Sequence, residues 1–186
     1  LEFFTSALTN FEKNKSYTLN PYQYIVLTNI KYMEYQLWWT GKTQFGYLDV
    51  GIADYIKRIR HLCKFNTLEF PNAKEKKDQL IIQQEEESQL LKKIDIRKDH
   101  IILLDERGLK FTSIKFAQHL EQLQNNSLHR IIFIIGGAYG FTPAFRNQAQ
   151  MLLSFSDFTF SHQLIRLIFV EQLYRAQSIL HHLPYH

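Results

Sequence analysis

Two near-continuous apolar runs constrain this chain most: His100 to Leu104 (HIILL) and Ile131 to Ile135 (IIFII). A strand that meets water on one side alternates polar and apolar residues. A strand without alternation is buried on both faces, as in parallel sheets covered by helices. Between the two runs, Ser113 to Gln124 carries Phe116, Ala117, Leu120 and Leu123 at helical spacing, with Thr112 or Ser113 as cap. The succession strand, helix, strand predicts an α/β fold on a mainly parallel sheet with helices on both faces.

The rest of the chain extends this pattern. Tyr35 to Trp39 is a short aromatic run closed by Thr40-Gly41-Lys42. Leu48, Ile52, Tyr55, Ile56, Ile59 and Leu62 form one helical stripe, with Lys57, Arg58 and Arg60 mostly on the other face. Phe65 to Phe70 alternates weakly and stops at Pro71-Asn72, as a strand does. The charged stretch Lys74 to Lys93, centred on Glu85-Glu86-Glu87, predicts a solvated helix ending near Ile94. Asp105 to Gly108 reads as a turn, and Thr142-Pro143 as an N-cap with Pro at the first helical position. Phe155 to Phe160 reads as a short strand or ordered loop, and Ser161 to Leu180 as a long closing helix.

That closing helix carries Leu164, Ile165, Leu167, Ile168, Phe169 and Val170, which cover nearly all its faces. A helix apolar all round is buried on more than one side. In a chain of 186 residues a second subunit is one way to achieve this, so a homodimer is expected. Residues 1–32, rich in Asn, Thr and Tyr, show no sustained period. They are set apart as an N-terminal extension of unknown role, with residues 33–186 as one domain.

Composition excludes several classes. One cysteine, Cys63, allows no internal disulfide and no Cys-based zinc framework, and its place at the end of an amphipathic helix suits a packed small hydrophobe. No run approaches the length of a membrane span, no secretory pattern stands at the N-terminus, and a cytoplasmic location is expected. The net charge of +4 permits a nucleic-acid partner without demanding one. The ending His181-His182-Leu183-Pro184-Tyr185-His186 has no Asp, Glu or Cys beside it, so no metal is expected; Tyr and His there suit stacking on a base or lining a partner's site.

The strongest local feature for chemistry is Gly136-Gly137-Ala138-Tyr139-Gly140, directly after the second buried run. In open parallel sheets ligands bind beyond the carboxyl ends of strands, and glycines let backbone approach them closely. The segment lacks the G-x-G-x-x-G spacing and the Gly-Lys-Ser/Thr of a phosphate loop, so a tight strand-to-helix turn explains it equally well. Leu104-Asp105 and Phe155 to Phe160 are further segments able to converge on the same crevice, offering an apolar slot and backbone polar groups. His162, Arg166, Glu171, Tyr174 and Arg175 are polar groups on or just before an apolar helix, and Glu171 with Arg175 has the spacing of a salt bridge. His162 suits a general base, an RNA contact or a cap.

Read together, the C-terminal blocks resemble one known family. IIFIIGGAYGF (131–141), LLSFSDFTF (152–160), HQLIRLIFVEQLYRAQSIL (162–180) and the Tyr185-His186 ending are similar to the ribosomal large-subunit methyltransferase H family, a branch of the SPOUT class. Weaker echoes are Gly41-Lys42, the Tyr55-Ile56-Lys57-Arg58 helix and Leu104-Asp105, so the resemblance spans residues 33–186. Two departures stand out: Ser161 occupies the place of a usual Pro before the His, and the family tail usually runs slightly past Tyr-His.

The resemblance implies a SPOUT-type fold with a C-terminal deep trefoil knot, an obligate homodimer, and S-adenosylmethionine bound in the knot. It also implies methylation of N3 of a pseudouridine in 23S rRNA on the assembled ribosome. Carried over, the cofactor pocket comprises Leu104, Gly136, Phe155, Ser156, Asp157, Phe158, Thr159 and Phe160. His162, Arg166, Tyr185 and His186 are the candidates for the target base and its phosphates. The alternatives are another RNA target for the same class of enzyme, or a non-catalytic ribosome-binding protein of the same fold.

Overall fold

A computed structural model of the chain describes residues 33–73, 78–125 and 128–185. The expectations for residues 1–32, for the start of the charged helix at residues 74–77 and for His186 fall outside these. Five parallel strands form one sheet in the order β2-β1-β4-β3-β5: β1 (Glu34–Thr40), β2 (Lys64–Phe70), β3 (Asp99–Lys110), β4 (Arg130–Ile135) and β5 (Met151–Ser154). The helices are α1 (Gly46–Arg60), α2 (Gln79–Leu91), α3 (Ser113–Asn125), the single turn α4 (Pro143–Arg146) and α5 (Leu164–Leu180).

The two apolar runs lie at the centre because both faces of the sheet are covered. Successive side chains of a strand point to opposite faces. Ile131, Phe133 and Ile135 of β4 therefore enter one core, with α1, α3 and α5, while Ile132 and Ile134 enter another, with Leu90 of α2 and Phe145 of α4. Phe133 packs its ring against Tyr35, Phe116 and Phe169, the last at 4.7 Å between centroids. Cys63 packs against this first core, and burial pushes its thiol up to about 12, as suits a small hydrophobe. The closing helix lies against α1 and α3. Gly51 of α1 permits the close approach, since a Cβ there would stand 3.0 Å from Leu167.

Several boundaries differ from the sequence expectation, each for a physical reason. The α1 stripe stops at Arg60, and Leu62 lies in the turn, its N–H reaching back to the carbonyl of Ile59. β3 does not end in a turn at Asp105; it continues to Lys110, pairing with β5 through a register shift between Leu104 and Leu109. Gly108 makes this possible, because a Cβ there would lie 2.5 Å from the backbone of Leu152 and Leu153. The charged helix ends at Leu91 rather than near Ile94 and is not wholly solvated: it buries Gln83, Glu86 and Glu87. Residues 155–160 form a loop, and α5 begins at Leu164, whose N–H donates to Ser161 Oγ (3.2 Å).

Removing the central ring tests this packing. Phe133→Ala should cost about 3–5 kcal/mol of stability, the range for truncating a fully buried aromatic, measured by urea unfolding. A loss below about 1 kcal/mol would show that the first core does not depend on β4.

Candidate active site at the carboxyl ends of three strands

The carboxyl ends of β3, β4 and β5 open onto a cavity of about 580 Å³. The size falls in the range of small-molecule sites. Leu104, Asp105 and Glu106 come from β3, Ile135 to Gly140 from the end of β4 and its loop, and Leu153 to Ser156 from β5 and the turn beyond it. Phe158 to His162 and Ile165 close the remaining side.

The glycine loop is held by its own backbone. Gly140 adopts φ +65° and its N–H donates to the carbonyl of Gly137 (3.0 Å). A Cβ on Gly136 would lie 3.1 Å from Gly140 Cα and 3.2 Å from the Phe141 ring, so a larger residue would push the loop open. Opposite stand two carboxylates that sequence reasoning did not single out as a pair. Asp105 accepts from Arg146 Nε (2.6 Å), and Glu106 accepts from Thr159 Oγ1 (3.1 Å). Glu106 thus ties the 155–160 loop to β3. The same loop is tightened internally, with Ser154 Oγ donating to Ser156 O and Phe158 N donating to Ser156 Oγ, both at 2.9 Å.

Of the expected cofactor residues, Leu104, Gly136, Phe155, Ser156, Phe158, Thr159 and Phe160 line this one cavity. Asp157 does not; its carboxylate pairs with Lys110 on the outer surface. The Phe155 ring turns into the core, edge-on to Phe116 and Phe169. Phe158 stands 80% exposed at the rim, a large apolar ring left available to a ligand or partner.

His162 borders the cavity and is half-buried. Burial, with the neighbouring Arg166 charge second, lowers its pKa below the ordinary histidine value and favours the neutral ring. Arg166 is fully buried, and its guanidinium is engaged within the chain. It donates to the carbonyl of His162 (3.1 Å), to Thr43 Oγ1 (3.0 Å) and to the carbonyl of Thr40 (2.7 Å), and lies over the Trp39 ring. Burial lowers its pKa to about 10, which leaves it charged at neutral pH. Its immediate work is to clamp the start of α5, and with it His162, to the loop after β1. Gln163 assists by accepting from Gln44 N (2.8 Å).

Tyr185 lies elsewhere. Its hydroxyl is 2.9 Å from that of Tyr55, its ring meets Tyr174 edge-on, and Arg175 lies over it at 4.9 Å. Bonding to Tyr55, and then burial, push its pKa up to about 12. Arg175 pairs with Glu171 at 2.6 Å, as their spacing suggested. Tyr185 folds back along the 17-residue α5, its hydroxyl 3.4 Å from Glu171 Oε1, and it is absent from the cavity that His162 borders. Within one chain, therefore, His162 and Tyr185 do not share a site. Among the described residues no group of three or more His, Cys, Asp or Glu is placed to hold a metal, and no helix is long and apolar enough to cross a membrane.

Comparison with known proteins identifies the family. Residues 33–186 match the family described as "Predicted SPOUT methyltransferase". The chain is 43% identical over 155 residues to the ribosomal RNA large subunit methyltransferase H of Phocaeicola vulgatus, a match covering 83% of this chain and 99% of that protein. It is 41% identical over 155 residues to the protein of the same name from Cytophaga hutchinsonii, with the same coverage of 83% and 99%. The namesake from Natranaerobius thermophilus is 42% identical over 159 residues, again covering 83% of this chain and 99% of the relative. A parallel sheet whose strand ends open on a ligand-sized cavity, and this extent of identity, lead to one conclusion: the chain belongs to the SPOUT methyltransferase family, in its ribosomal RNA large subunit methyltransferase H branch, and is a methyltransferase.

Proposed function

We propose that this protein methylates N3 of a pseudouridine in 23S rRNA on the assembled ribosome, using S-adenosylmethionine and acting as a homodimer in the cytoplasm. The observation that carries the proposal is the convergence of the glycine loop, the end of β3 and the 153–162 segment on one cavity. Residues 33–186 form the catalytic domain in this proposal, with residues 1–32 as an extension. The relatives' shared name supports an rRNA substrate.

The cavity suits the methyl donor chemically. Leu104, Ile135, Leu153 and Ile165 supply apolar surface for an adenine ring, and the loop backbone at Gly136 to Gly140 supplies polar groups. Glu106 offers negative charge toward a cationic ligand, whereas Asp105 is balanced by its pair with Arg146, which lines the same cavity. Leu104, Gly136 and residues 155–160 would hold the cofactor, with Asp157 contributing from outside the cavity wall through its pair with Lys110. S-adenosylmethionine, when bound, supplies an electrophilic methyl group on a sulfonium. The protein's contribution is alignment, which in favourable cases is worth about 7–11 kcal/mol. The knot expected of the family would be formed by the C-terminal segment, in which the connection from β4 reaches β5 beyond β3 before α5 returns to α1 and α3.

As the methyl group bonds to N3, the imide proton leaves. His162 borders the cavity with its ring held toward the neutral form, so its free nitrogen accepts that proton. Arg166 keeps His162 in place through the peptide carbonyl and does not itself face the cavity. Tyr185 lies outside the cavity of its own chain. It therefore serves the target base in the cavity of the second subunit, which makes the dimer part of the active site. The incompletely buried Ile165, Leu167 and Ile168, with exposed Leu164, leave α5 an apolar surface for such a partner.

Three results are expected. Purified protein with radiolabelled S-adenosylmethionine should label ribosomes carrying an unmodified pseudouridine, with the added methyl at N3 by mass spectrometry. A net charge of only +4 makes protein-free rRNA a poor substrate, and equal labelling of a short stem-loop would contradict assembled-ribosome specificity. The acid limb of the kcat profile should lie below the ordinary histidine range, because protonating His162 removes the base. His162→Asn should lower kcat by about a hundredfold or more while cofactor affinity is kept; an unchanged kcat would remove His162 from the chemistry. Finally, His162→Asn and Tyr185→Ala chains, each impaired alone, should regain activity when mixed as heterodimers, which hold one intact composite site. Failure of a verified heterodimer to gain activity would place the tail outside the partner's site.

A further inference from the structure

Helix α2 is turned the wrong way round for a helix oriented by the hydrophobic effect. It buries Gln83, Glu86 and Glu87 beside Leu90, while Leu80 is 50% and Ile81 44% exposed. Burying carboxylates costs several kcal/mol unless each finds partners. The partners are therefore what orients the helix, and most lie in one place.

Glu87 receives two hydrogen bonds from Thr142, one from its backbone N–H (2.6 Å) and one from its hydroxyl (2.8 Å). Gln83 Nε2 donates to the carbonyl of Tyr139 (2.7 Å). Glu86 lies flat against Gly137, where a Cβ would come within 2.4 Å of its carboxylate, and also receives the N–H of Ala73 (3.5 Å). These contacts hold the backbone from Gly137 to Thr142, of which Gly137 to Gly140 line the cavity. Thr142 is in turn the cap of α4, accepting from Phe145 N (3.2 Å). Gln79, the first residue of α2, lines the cavity itself. Burial raises the Glu86 carboxyl pKa, which agrees with a site shielded from water.

We propose that Gln83, Glu86 and Glu87 are positioning residues: the buried polar face of α2 holds the Gly137–Thr142 loop in its ligand-ready shape and thereby sets affinity for the methyl donor. The proposal rests on the assignment of that donor to this cavity. It differs from a purely structural role in one respect: loss of these bonds changes the loop and the ligand affinity more than it changes global stability. Replacing Glu87 by Leu leaves the Thr142 N–H without its acceptor while filling the space with apolar atoms. Replacing it by Gln keeps one carbonyl acceptor for that N–H.

The test compares Glu87→Leu, Glu87→Gln and Gln83→Leu with Leu90→Ala, a change in the same helix that weakens apolar packing while leaving every hydrogen bond from α2 to the loop in place. Three quantities are measured on the folded dimer: the Kd for S-adenosylmethionine by calorimetry, amide hydrogen exchange of residues 137–142 without ligand, and Tm. Glu87→Leu and Gln83→Leu should each weaken binding about tenfold, as expected for a lost buried hydrogen bond of about 1.4 kcal/mol, and should speed exchange in the loop. Glu87→Gln should recover part of both effects. Leu90→Ala should lower Tm while leaving Kd and loop exchange near those of the parent. Unchanged Kd and exchange in both Leu variants, or changes in all four that follow Tm alone, would overturn the proposal. If the parent protein binds no S-adenosylmethionine, the donor assignment fails; the exchange measurement still decides whether α2 holds the loop.

Discussion

Every feature of this protein depends on β4 being apolar on both faces and hydrogen-bonded on both edges. Its neighbours β1 and β3 run parallel to it, so all connections from strand end to next strand must pass over the sheet. Parallel strands bring their carboxyl ends to one side of the molecule, and the loops gathered there become the site. β4 lies between strands and between two hydrophobic cores, so its end has little freedom to move. The glycine loop that leaves it inherits a fixed starting point.

The loops themselves are positioned by buried charge. Arg166 on one side binds Thr40, Thr43 and the carbonyl of His162, and Glu87 on the other binds Thr142. Each charged group is removed from water, and each is compensated by backbone or hydroxyl groups in a loop that has no regular ladder of its own. Such an arrangement is costly to leave half-made, which makes it selective for one loop geometry. The cavity is thus framed by two clamps, from α5 and from α2, whose own side chains contribute little of its lining. A methyl-transfer site needs that kind of frame, because the rate depends on holding two reactants in line.

Local signals carried the sheet and much of the cavity lining. HIILL, IIFII, the α1 stripe and the Thr142-Pro143 start are each contained in a few consecutive residues, and each stands in the structure as an element of the expected type. The cavity-lining residues were legible for the same reason, since strand ends and glycines mark themselves. Features that depend on distant partners were not legible. The Asp105–Gly108 segment has turn composition, yet β5 pairs with the strand beyond it and keeps it extended. Glu86 and Glu87 look like part of a solvated face until Gly137 and Thr142 are brought against them. Arg166 reads as a candidate contact for the target base and its phosphates because two of its three acceptors, Thr40 and Thr43, lie more than a hundred residues earlier in the chain. Tyr185 is absent from the cavity that His162 borders in its own chain, an arrangement that the reading of the tail as lining a partner's site already allowed.

Amide hydrogen exchange with and without saturating S-adenosylmethionine tests the central claim most directly, since it asks where on the fold the methyl donor sits. The account predicts protection in three segments, 104–106, 136–142 and 153–162, with no change in the basic hollow at Lys57, Arg60 and His61 around the end of α1. Protection confined to that hollow, or none in the glycine loop while binding is demonstrable, would contradict the placement of the active site at the ends of β3, β4 and β5.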